Sequence, residues 1–232
     1  MDSAFADQLL EQVTQAYDAI ADHFAITRQK PWAEFSALQQ LLPPDAKLLD
    51  VGCGNGRLAA AAQAWSVDYV GLDVSVSLLT VARRAFPSLT FVTGNMLALP
   101  LPEAEFHCVA AIASLQHIPS AAYRLKTLQE YARVTRPRGV LFMMNWNLFQ
   151  PELQRHFVQH DPRFDTGDAL VPWKDAHGQL QAQRYYHGFT IPELNELCAA
   201  AGWDMQTQYY APQGQPADQT TGHNLVTIAH KK

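Results

Sequence analysis

The sequence predicts an α/β protein whose central sheet is doubly wound, mostly parallel and seven-stranded, with an antiparallel last strand. Three observations support this fold class. Strand-like apolar runs alternate with helical segments from Lys47 onward. A glycine-rich turn joins the first of those strands to its helix, and the last two predicted strands have no helix between them. Since 232 residues is an ordinary size for one domain, residues 1–232 are predicted to fold as a single domain.

Two N-terminal helices, within residues 1–44, are predicted to precede the sheet. Apolar residues recur at helical spacing over residues 3–25 and indicate an amphipathic helix. These apolar residues are Phe5, Leu9, Val13, Tyr17, Ile20 and Phe24. Pro31 is predicted to occupy the first turn of the second helix, which continues to Leu42.

The sheet strands and their connecting helices then follow in alternation. The predicted strands are residues 47–51, 68–73, 89–92, 106–113 and 140–146. The predicted helices are residues 58–64, 75–86 and 120–135. Ser75 is a plausible N-cap for the second of these helices, and the almost wholly apolar fourth strand is predicted to be central in the sheet.

The C-terminal part begins with a long interruption. Residues 147–188 are polar and weakly periodic, and they are predicted to form a substrate-side insertion. Regular structure is predicted to resume at Thr190, where T-I-P-E forms a capping box before a helix that Gly202 ends. Two strands, residues 203–210 and 223–229, are predicted after it, joined by a loop.

Composition limits the classes of function. The net charge is −5, from 17 basic and 22 acidic residues, so it favours no general attraction to nucleic acid. Three cysteines without a C-x-x-C pair predict neither a disulfide framework nor a zinc site, and they favour a cytoplasmic location. The N-terminal residues do not resemble a signal peptide, and no apolar run reaches the ~18 residues of a membrane span. No metal site is predicted either, since His156 and His160 lack an H-E-x-x-H context.

The glycine-rich turn, LLDVGCGNGRL at residues 48–58, indicates a ligand that approaches the backbone closely. Gly52, Gly54 and Gly56 give the spacing G-x-G-x-G, whereas the dinucleotide fingerprint has its third glycine one position later. Asp50 precedes them and would repel a pyrophosphate, but it would suit a cationic or hydroxyl-bearing ligand. A plain glycine turn and a nicotinamide or flavin site are the alternatives.

A second acid narrows the choice of ligand. Asp73 ends the second strand, where a carboxylate accepts the ribose hydroxyls of an adenosyl ligand. The glycine spacing, Asp50 and the terminal strand pair favour a sulfonium cofactor. Through residues 45–145 the sequence resembles the class I S-adenosylmethionine-dependent methyltransferases, which have a Rossmann-like fold.

This resemblance implies S-adenosyl-L-methionine as cofactor and a set of residues that bind it. The set is Tyr17, Asp50, Gly52, Cys53, Gly54, Asn55, Gly56, Asp73, Val74, Asn95, Met96 and Ala113. Asn95 stands where the family commonly has an acid, so its amide oxygen would accept from the adenine amine instead. Tyr17 equally fits the packing stripe of the first helix.

The nature of the methyl acceptor follows partly by exclusion. The Asp/Asn-Pro-Pro-Tyr/Phe motif typical of exocyclic-amine methylation is absent after the fourth strand, which reads AIASLQHIPS. Cys108 and Cys198 lie in the middle of a strand and a helix, where inert core thiols are expected rather than the nucleophile of a base-carbon methyltransferase. An oxygen or carboxylate acceptor is therefore favoured.

Three flanking segments resemble the tRNA wobble-uridine carboxymethyl methyltransferases, a family that includes a domain fused to an AlkB-type tRNA hydroxylase. The segments are YDAIADHFAITRQKPW at 17–32, ALVPW at 169–173 and RYYHGF at 184–189. The resemblance implies esterification of a uridine carboxymethyl group in tRNA, and commonly a small zinc-binding activator subunit. It implies catalytic roles for Arg28, His117 and Arg184. The substrate-binding residues that it implies are Lys30, Trp173, Tyr185, Tyr186 and His187.

Other interpretations stay open from the sequence. Arg28 could form a surface ion pair, Arg184 could anchor the insertion, and Tyr185 and Tyr186 could be core aromatics. A small-molecule O- or N-methyltransferase would suit the negative charge and an insertion that closes as a lid. A non-catalytic cofactor-binding subunit would suit the departures at Asn95 and at Gln116, where many family members have histidine.

Overall fold

The computed structural model describes residues 1–28, 30–211 and 217–232, and in them it contains nine strands and six α-helices. The strands are β1 (Ala46–Val51), β2 (Val67–Asp73), β3 (Thr90–Thr93), β4 (Phe106–Ile112), β5 (Thr135–Trp146), β6 (Asp168–Lys174), β7 (Leu180–His187), β8 (Trp203–Ala211) and β9 (Asn224–Lys231). The helices are α1 (Ser3–Thr27), α2 (Phe35–Gln40), α3 (Arg57–Ala62), α4 (Val76–Ala85), α5 (Ala121–Val134) and α6 (Ile191–Ala200).

Seven of the strands form one sheet in the order β3-β2-β1-β4-β5-β9-β8. The first five are mutually parallel, and β9 lies between β5 and β8 and is antiparallel to both. The predicted fold class is therefore confirmed, including the antiparallel last strand. The strand order reverses between β1 and β4, and in open α/β sheets ligands bind at this switch point, outside the carboxyl ends of the strands.

Helices cover both faces of the sheet, which is why its central strands are apolar throughout. Along β4, Val109 packs on the face covered by α5 and α6, where Leu128 and Leu194 are fully buried. Cys108 packs on the opposite face with Leu79 of α4. Buried packing on two sides leaves the carboxyl edge of the sheet as the place for a ligand.

Local sequence signals fix the helix starts as expected. The Ser75 hydroxyl accepts from the backbone N–H of Leu78 at 3.1 Å, so the predicted N-cap of α4 is confirmed. Thr190 caps α6 by accepting from the N–H of Glu193 at 3.3 Å. The capping box is incomplete, however, because the Glu193 carboxylate contacts His187 instead of the cap.

The second helix begins later than predicted. Pro31 and Trp32 precede it, and α2 begins at Phe35 after a turn in which the Phe35 N–H donates to the Trp32 carbonyl at 3.2 Å. The Trp32 ring instead packs under the guanidinium of Arg57, 4.5 Å away. A tertiary contact of this kind overrides the local preference of Pro31 for a helix start.

The interruption predicted over 147–188 contains regular structure that the sequence did not reveal. Strands β6 and β7 pair as an antiparallel hairpin outside the main sheet. Pro172 within β6 obscured the strand pattern, because proline is unusual inside a strand. Tyr185 of the hairpin packs against Leu9 and Val13 of α1, which places α1 and the hairpin side by side.

Two remaining features complete the fold. Part of the predicted loop between the last two strands, residues 212–216, lies outside the described residues. None of the helices in the described ranges combines the length and the hydropathy needed to cross a membrane.

Candidate active site

A pocket lies at the carboxyl ends of β1, β2 and β4, at the switch point of the sheet. The glycine loop and Asp73 line one part of it. The N-terminal helix, through Tyr17 and Arg28, and the β6–β7 hairpin, through Arg184, line another part. The pocket thus joins the predicted cofactor segment to the predicted acceptor segment.

Close packing explains why the first of the three loop positions must be glycine. Gly52 has φ +74°, a conformation that residues with a side chain rarely adopt. A Cβ at Gly52 would lie 2.3 Å from the Cβ of Ser114, so the backbones of the β1 and β4 ends can approach only without a side chain. Gly54 also has a positive φ, +55°, and its N–H donates to Asp73 at 2.8 Å.

Asp50 is a buried carboxylate with one free oxygen. The Tyr69 hydroxyl donates to its Oδ2 at 2.7 Å, whereas Oδ1 has no hydrogen-bond partner among the described residues. Burial raises the pKa of Asp50 to about 7, against the opposing effect of the Tyr69 hydrogen bond. An unpaired buried acceptor is costly, and a cationic ligand at Oδ1 would relieve that cost.

Asp73 is held rigidly at the end of β2. Its Oδ2 accepts from the Gly54 N–H and its Oδ1 from the Ser75 N–H, both at 2.8 Å. Burial raises the pKa of Asp73, and these backbone hydrogen bonds oppose that rise. Each carboxylate oxygen keeps further acceptor capacity, so the pair can still accept from two ligand hydroxyls.

The segment after β3 forms a tight turn beside the pocket. The Asn95 Oδ1 accepts from the Leu97 N–H at 2.9 Å, so the amide is oriented by the turn as well as facing the pocket. Met96, Val74 and Ala113 also line the pocket.

Almost every residue predicted to bind the cofactor therefore lies around one cavity. The exception is Gly56, which does not line it. Gly56 has φ +84° at the start of α3, and a Cβ there would lie 2.8 Å from the Phe86 ring. The third glycine of the motif is thus explained by helix–loop packing rather than by a ligand.

A chain of hydrogen bonds crosses the acceptor end of the pocket. Arg184 donates to the Tyr17 hydroxyl at 3.4 Å, and that hydroxyl contacts the Nε2 of His117 at 2.9 Å. The Nδ1 of His117 lies 2.9 Å from the carbonyl oxygen of Tyr185 and therefore carries the proton. Burial lowers the pKa of His117 to about 3, aided by the charge of Arg184. His117 is thus neutral, with both ring nitrogens engaged.

Two arginines share an aromatic box beside this chain. Both guanidiniums lie near the ring of Trp173, that of Arg184 at 4.9 Å and that of Arg28 at 5.1 Å. Arg184 is only 3% exposed, and within the described ranges neither arginine forms an ion pair with a carboxylate. Burial and the charge of Arg184 lower the pKa of Arg28. Cation–π contacts, rather than a carboxylate, stabilise the two guanidinium charges next to each other.

Strand geometry separates the residues of the R-Y-Y-H segment. Side chains alternate between the two faces of β7, so Arg184 and Tyr186 line the pocket. Tyr185 and His187 lie on the other face, where both donate to the buried carboxylate of Asp168, at 2.6 and 2.7 Å. The structure therefore does not bring Tyr185 and His187 into the pocket. Lys30 is exposed and does not line the pocket. Trp173 does not line it either, but its ring contacts the guanidiniums of Arg28 and Arg184, which do.

Several polar or aromatic residues of the pocket lining had not been predicted as site residues, among them Arg57, Trp146 and Gln116. Arg57 follows Gly56 at the start of α3, and its position beside the glycine loop was a usable signal. Trp146 ends β5, and its backbone N–H donates to the side-chain oxygen of Gln116 at 2.6 Å. Gln116, which in sequence only departs from the histidine of many family members, therefore accepts a hydrogen bond from the end of β5.

Comparisons with known proteins agree with this geometry. The model of the Methyltransferase domain family matches residues 49–143. A tRNA (carboxymethyluridine(34)-5-O)-methyltransferase of Schizosaccharomyces pombe is 32% identical over 210 residues, which cover 83% of this chain and 88% of that protein. Several longer relatives match over 20% to 37% of their own length.

Solved structures share the fold. An S-adenosylmethionine-dependent methyltransferase from Methanosarcina mazei is 21% identical and has a TM-score of 0.67, covering 87% of this chain and 98% of that one. A methyltransferase solved in complex with the Trm112 methyltransferase activator of Haloferax volcanii is 20% identical, also with a TM-score of 0.67, covering 94% of this chain and 97% of that one.

The pocket fits S-adenosylmethionine. The free Oδ1 of Asp50 matches the ammonium group of its methionine part, and the carboxylate of Asp73 matches the two ribose hydroxyls. The space that a Cβ of Gly52 would fill is occupied by the side chain of Ser114, so Gly52 serves the packing of the loop. Asp50, Asp73 and the glycine loop are therefore the residues that would hold the cofactor.

Cofactor affinity should depend on pH through Asp50. The free protein holds this carboxyl protonated below about pH 7, whereas an ammonium ligand favours the ionised form and lowers its pKa. We expect the Kd for S-adenosylmethionine to rise by up to about tenfold per pH unit below about 7, and to level off above it. Isothermal titration calorimetry over a pH series measures this.

Asp50→Asn should bind more weakly at high pH and lose most of this pH dependence. Asp68→Asn is the matched control, because Asp68 lies at the amino end of β2, is exposed and is not among the residues that line the pocket. A wild-type Kd that stays constant between about pH 6 and 8 would contradict the role given to Asp50.

Proposed function

The chain belongs to the family of tRNA (carboxymethyluridine(34)-5-O)-methyltransferases, and from this premise we propose that it esterifies the carboxylate of a 5-carboxymethyl-type uridine at the tRNA wobble position. The observation that carries the proposal is the pair Arg28 and Arg184, two arginines in one pocket without an acidic partner among the described residues. An anionic acceptor supplies the missing negative charge.

The chemistry requires orientation more than proton transfer. When bound, S-adenosylmethionine supplies an electrophilic methyl group on a sulfonium sulfur. A carboxylate acceptor is already ionised at neutral pH, so the protein does not have to remove a proton from it. This agrees with His117, whose neutral ring donates to one neighbour and accepts from another and is not free to act as a base.

We assign the orienting role to the arginines. Arg184 is fixed by aromatic rings and by the Tyr17 hydroxyl, so its charge is in place before the acceptor arrives. Arg28 lies on the same Trp173 ring and is more exposed. A guanidinium that holds the acceptor carboxylate aligns it for attack on the methyl group and excludes water. The surrounding aromatic rings keep this contact from becoming a tight ion pair.

The proposal gives His117 and Tyr17 a positioning role. The Tyr17 hydroxyl accepts from Arg184 and donates to His117, which is itself fixed by the backbone of Tyr185. Residues 147–188 and the N-terminal helices would thus form the acceptor side of the site, opposite the cofactor loop.

Transfer of label from methyl-labelled S-adenosylmethionine tests the proposed reaction. Purified protein, with and without a co-expressed zinc-binding activator subunit, should label carboxymethyluridine-containing tRNA. A methyl ester is cleaved by mild alkali, so the label should leave the RNA as volatile methanol. Label that resists alkali would indicate an amine or a base carbon, and label found only in a small-molecule extract would support the small-molecule alternative.

The activator partner is part of this proposal. It draws on the sequence resemblance and on the solved neighbour that is bound to a Trm112 activator. A requirement for the co-expressed subunit in the labelling assay would support it, and full activity of the chain alone would argue against it. A cytoplasmic location stays a prediction from the cysteine content.

A further inference from the structure

Gln116 offers a fixed hydrogen-bond donor to the pocket. Its side chain is only 1% exposed, and it lines the pocket beside His117. Its Oε1 accepts from the backbone N–H of Trp146 at 2.6 Å, and this contact fixes which end of the amide is the oxygen, because an N–H needs an acceptor. Among the described residues, the NH2 group at the other end of the amide has no hydrogen-bond partner, so it is available to a ligand.

A partly exposed aromatic ring accompanies this donor. Trp146 packs against the buried cluster that contains Leu148 and Tyr186, and it stays partly exposed in the pocket lining. The ring centroids of Trp146 and Tyr186 are 5.5 Å apart, with an interplanar angle of 38°. Unpaired bases of RNA are typically recognised by such a combination, in which the base stacks on an aromatic ring and a polar side chain contacts its edge.

Two chains of contacts connect the donor and the ring to the acceptor end of the pocket. The residue that carries the donor directly precedes His117, whose Nε2 contacts the Tyr17 hydroxyl at 2.9 Å, and that hydroxyl accepts from Arg184. Trp146 contacts Tyr186, whose ring lies 5.2 Å from the guanidinium of Arg184. Both chains end at the arginine that we propose to hold the acceptor carboxylate. The free NH2 group therefore belongs to the part of the pocket that receives the acceptor.

The structure of a 5-carboxymethyluridine fits these contacts. Its carboxylate is an anion and suits the arginines, whereas a neutral NH2 donor suits a neutral carbonyl oxygen. The carboxymethyl group is on C5 and the neighbouring C4 carries a carbonyl oxygen, so this oxygen is the base acceptor nearest to the carboxylate. The other carbonyl, at C2, lies across the ring. In cytosine an NH2 group replaces the C4 oxygen, so two donors would face each other.

We infer that the side-chain NH2 group of Gln116 donates to the C4 oxygen of the acceptor base, which stacks on Trp146, and that this contact selects uridine over cytidine. The inference rests on the proposed function, because it takes a carboxymethyl pyrimidine in RNA as the acceptor. Gln116 is then a specificity-determining residue, while Arg28 and Arg184 act on the carboxylate, which is the same on either base.

Gln116→Glu isolates the donor from the structural contact. The change replaces the NH2 group by an oxygen and keeps an acceptor for the N–H of Trp146. The added negative charge acts on both bases alike, so the ratio between the two bases reports the base edge alone. Gln116→Met removes the donor and the acceptor together. Gln63→Glu, at an exposed position at the end of α3 outside the pocket lining, makes the same change in charge and serves as the control.

Binding of two anticodon stem-loop RNAs measures the selectivity without methyl transfer. The RNAs differ only in 5-carboxymethyluridine or 5-carboxymethylcytidine at the wobble position, and fluorescence anisotropy with S-adenosylhomocysteine present gives the two Kd values. The wild type and Gln63→Glu should prefer the uridine RNA by about 10- to 100-fold. Gln116→Met should bind the two RNAs about equally, and Gln116→Glu should prefer the cytidine RNA. Trp146→Leu keeps the backbone N–H and should weaken both RNAs about tenfold.

Methyl transfer to the same RNAs repeats the comparison in turnover. The ratio of kcat/KM for the uridine RNA to that for the cytidine RNA should fall by about 10- to 100-fold in Gln116→Glu. A wild type that binds both RNAs equally, a ratio that Gln116→Glu leaves unchanged, or a Trp146→Leu protein of undiminished affinity would overturn the inference. If the wild type methylates neither RNA, the proposed function fails, whereas the ratio of the Kd values still decides the role of Gln116.

Discussion

Replacing Asp73 with alanine is expected to abolish most of the affinity for S-adenosylmethionine. The substitution removes the acceptor that we propose for two ribose hydroxyls and, at the same time, the acceptor for the N–H groups of Gly54 and Ser75. Hydrogen bonds to a charged group contribute about 1.5–3 kcal/mol each, so a loss of about 100-fold or more in affinity is expected. Isothermal titration calorimetry with S-adenosylmethionine measures it directly.

The control for this prediction is Asp68→Ala. Asp68 belongs to the same strand, β2, but is exposed and does not line the pocket. The Asp68→Ala protein should bind the cofactor with the affinity of the wild type. An Asp73→Ala protein that is folded and binds within about threefold of the wild type would show that Asp73 is not the ribose acceptor.

The second large effect is expected at the arginines. Arg184→Met keeps much of the aliphatic packing against Trp173 and Tyr186 but removes the charge. We expect methyl transfer to carboxymethyluridine tRNA to fall by about 10- to 150-fold, corresponding to the loss of one charge-assisted contact, with cofactor affinity nearly unchanged. Arg28→Ala should act in the same direction.

Arg28→Lys is the informative companion. Lysine keeps a positive charge but loses the planar fork and its stacking on Trp173, so partial activity is expected. Single-turnover rates at saturating cofactor separate transfer from cofactor binding. Equal transfer rates for the wild type and Arg184→Met would show that Arg184 takes no part in methyl transfer and has only a structural role.

The cofactor half of the site was predictable because its signals are local in sequence. The glycine loop lies in one short segment, and Asp73 ends the next strand, so the parallel sheet brings them together without further information. The free oxygen of Asp50 was not predictable, since it depends on Tyr69 taking only the other oxygen.

The acceptor half was predicted only in part because it is assembled from distant segments. The family resemblance identified all four residues of R-Y-Y-H as one functional segment. In a strand, however, successive side chains lie on opposite faces, and the β6–β7 hairpin that contains this segment was not predicted. Arg184 and Tyr186 therefore line the pocket while Tyr185 and His187 do not. The position of Arg57 beside the glycine loop was a local signal, whereas its contact with Trp32 joins two segments that no local pattern connects.

Mass spectrometry of nucleosides from the tRNA of a deletion strain tests most directly whether this protein forms the methyl ester of a wobble carboxymethyluridine. The unesterified carboxymethyl nucleoside should accumulate in that strain. It should return to the methyl ester when the wild-type gene is restored and remain unesterified with Arg184→Met. A wobble nucleoside profile that does not change on deletion would contradict the claim.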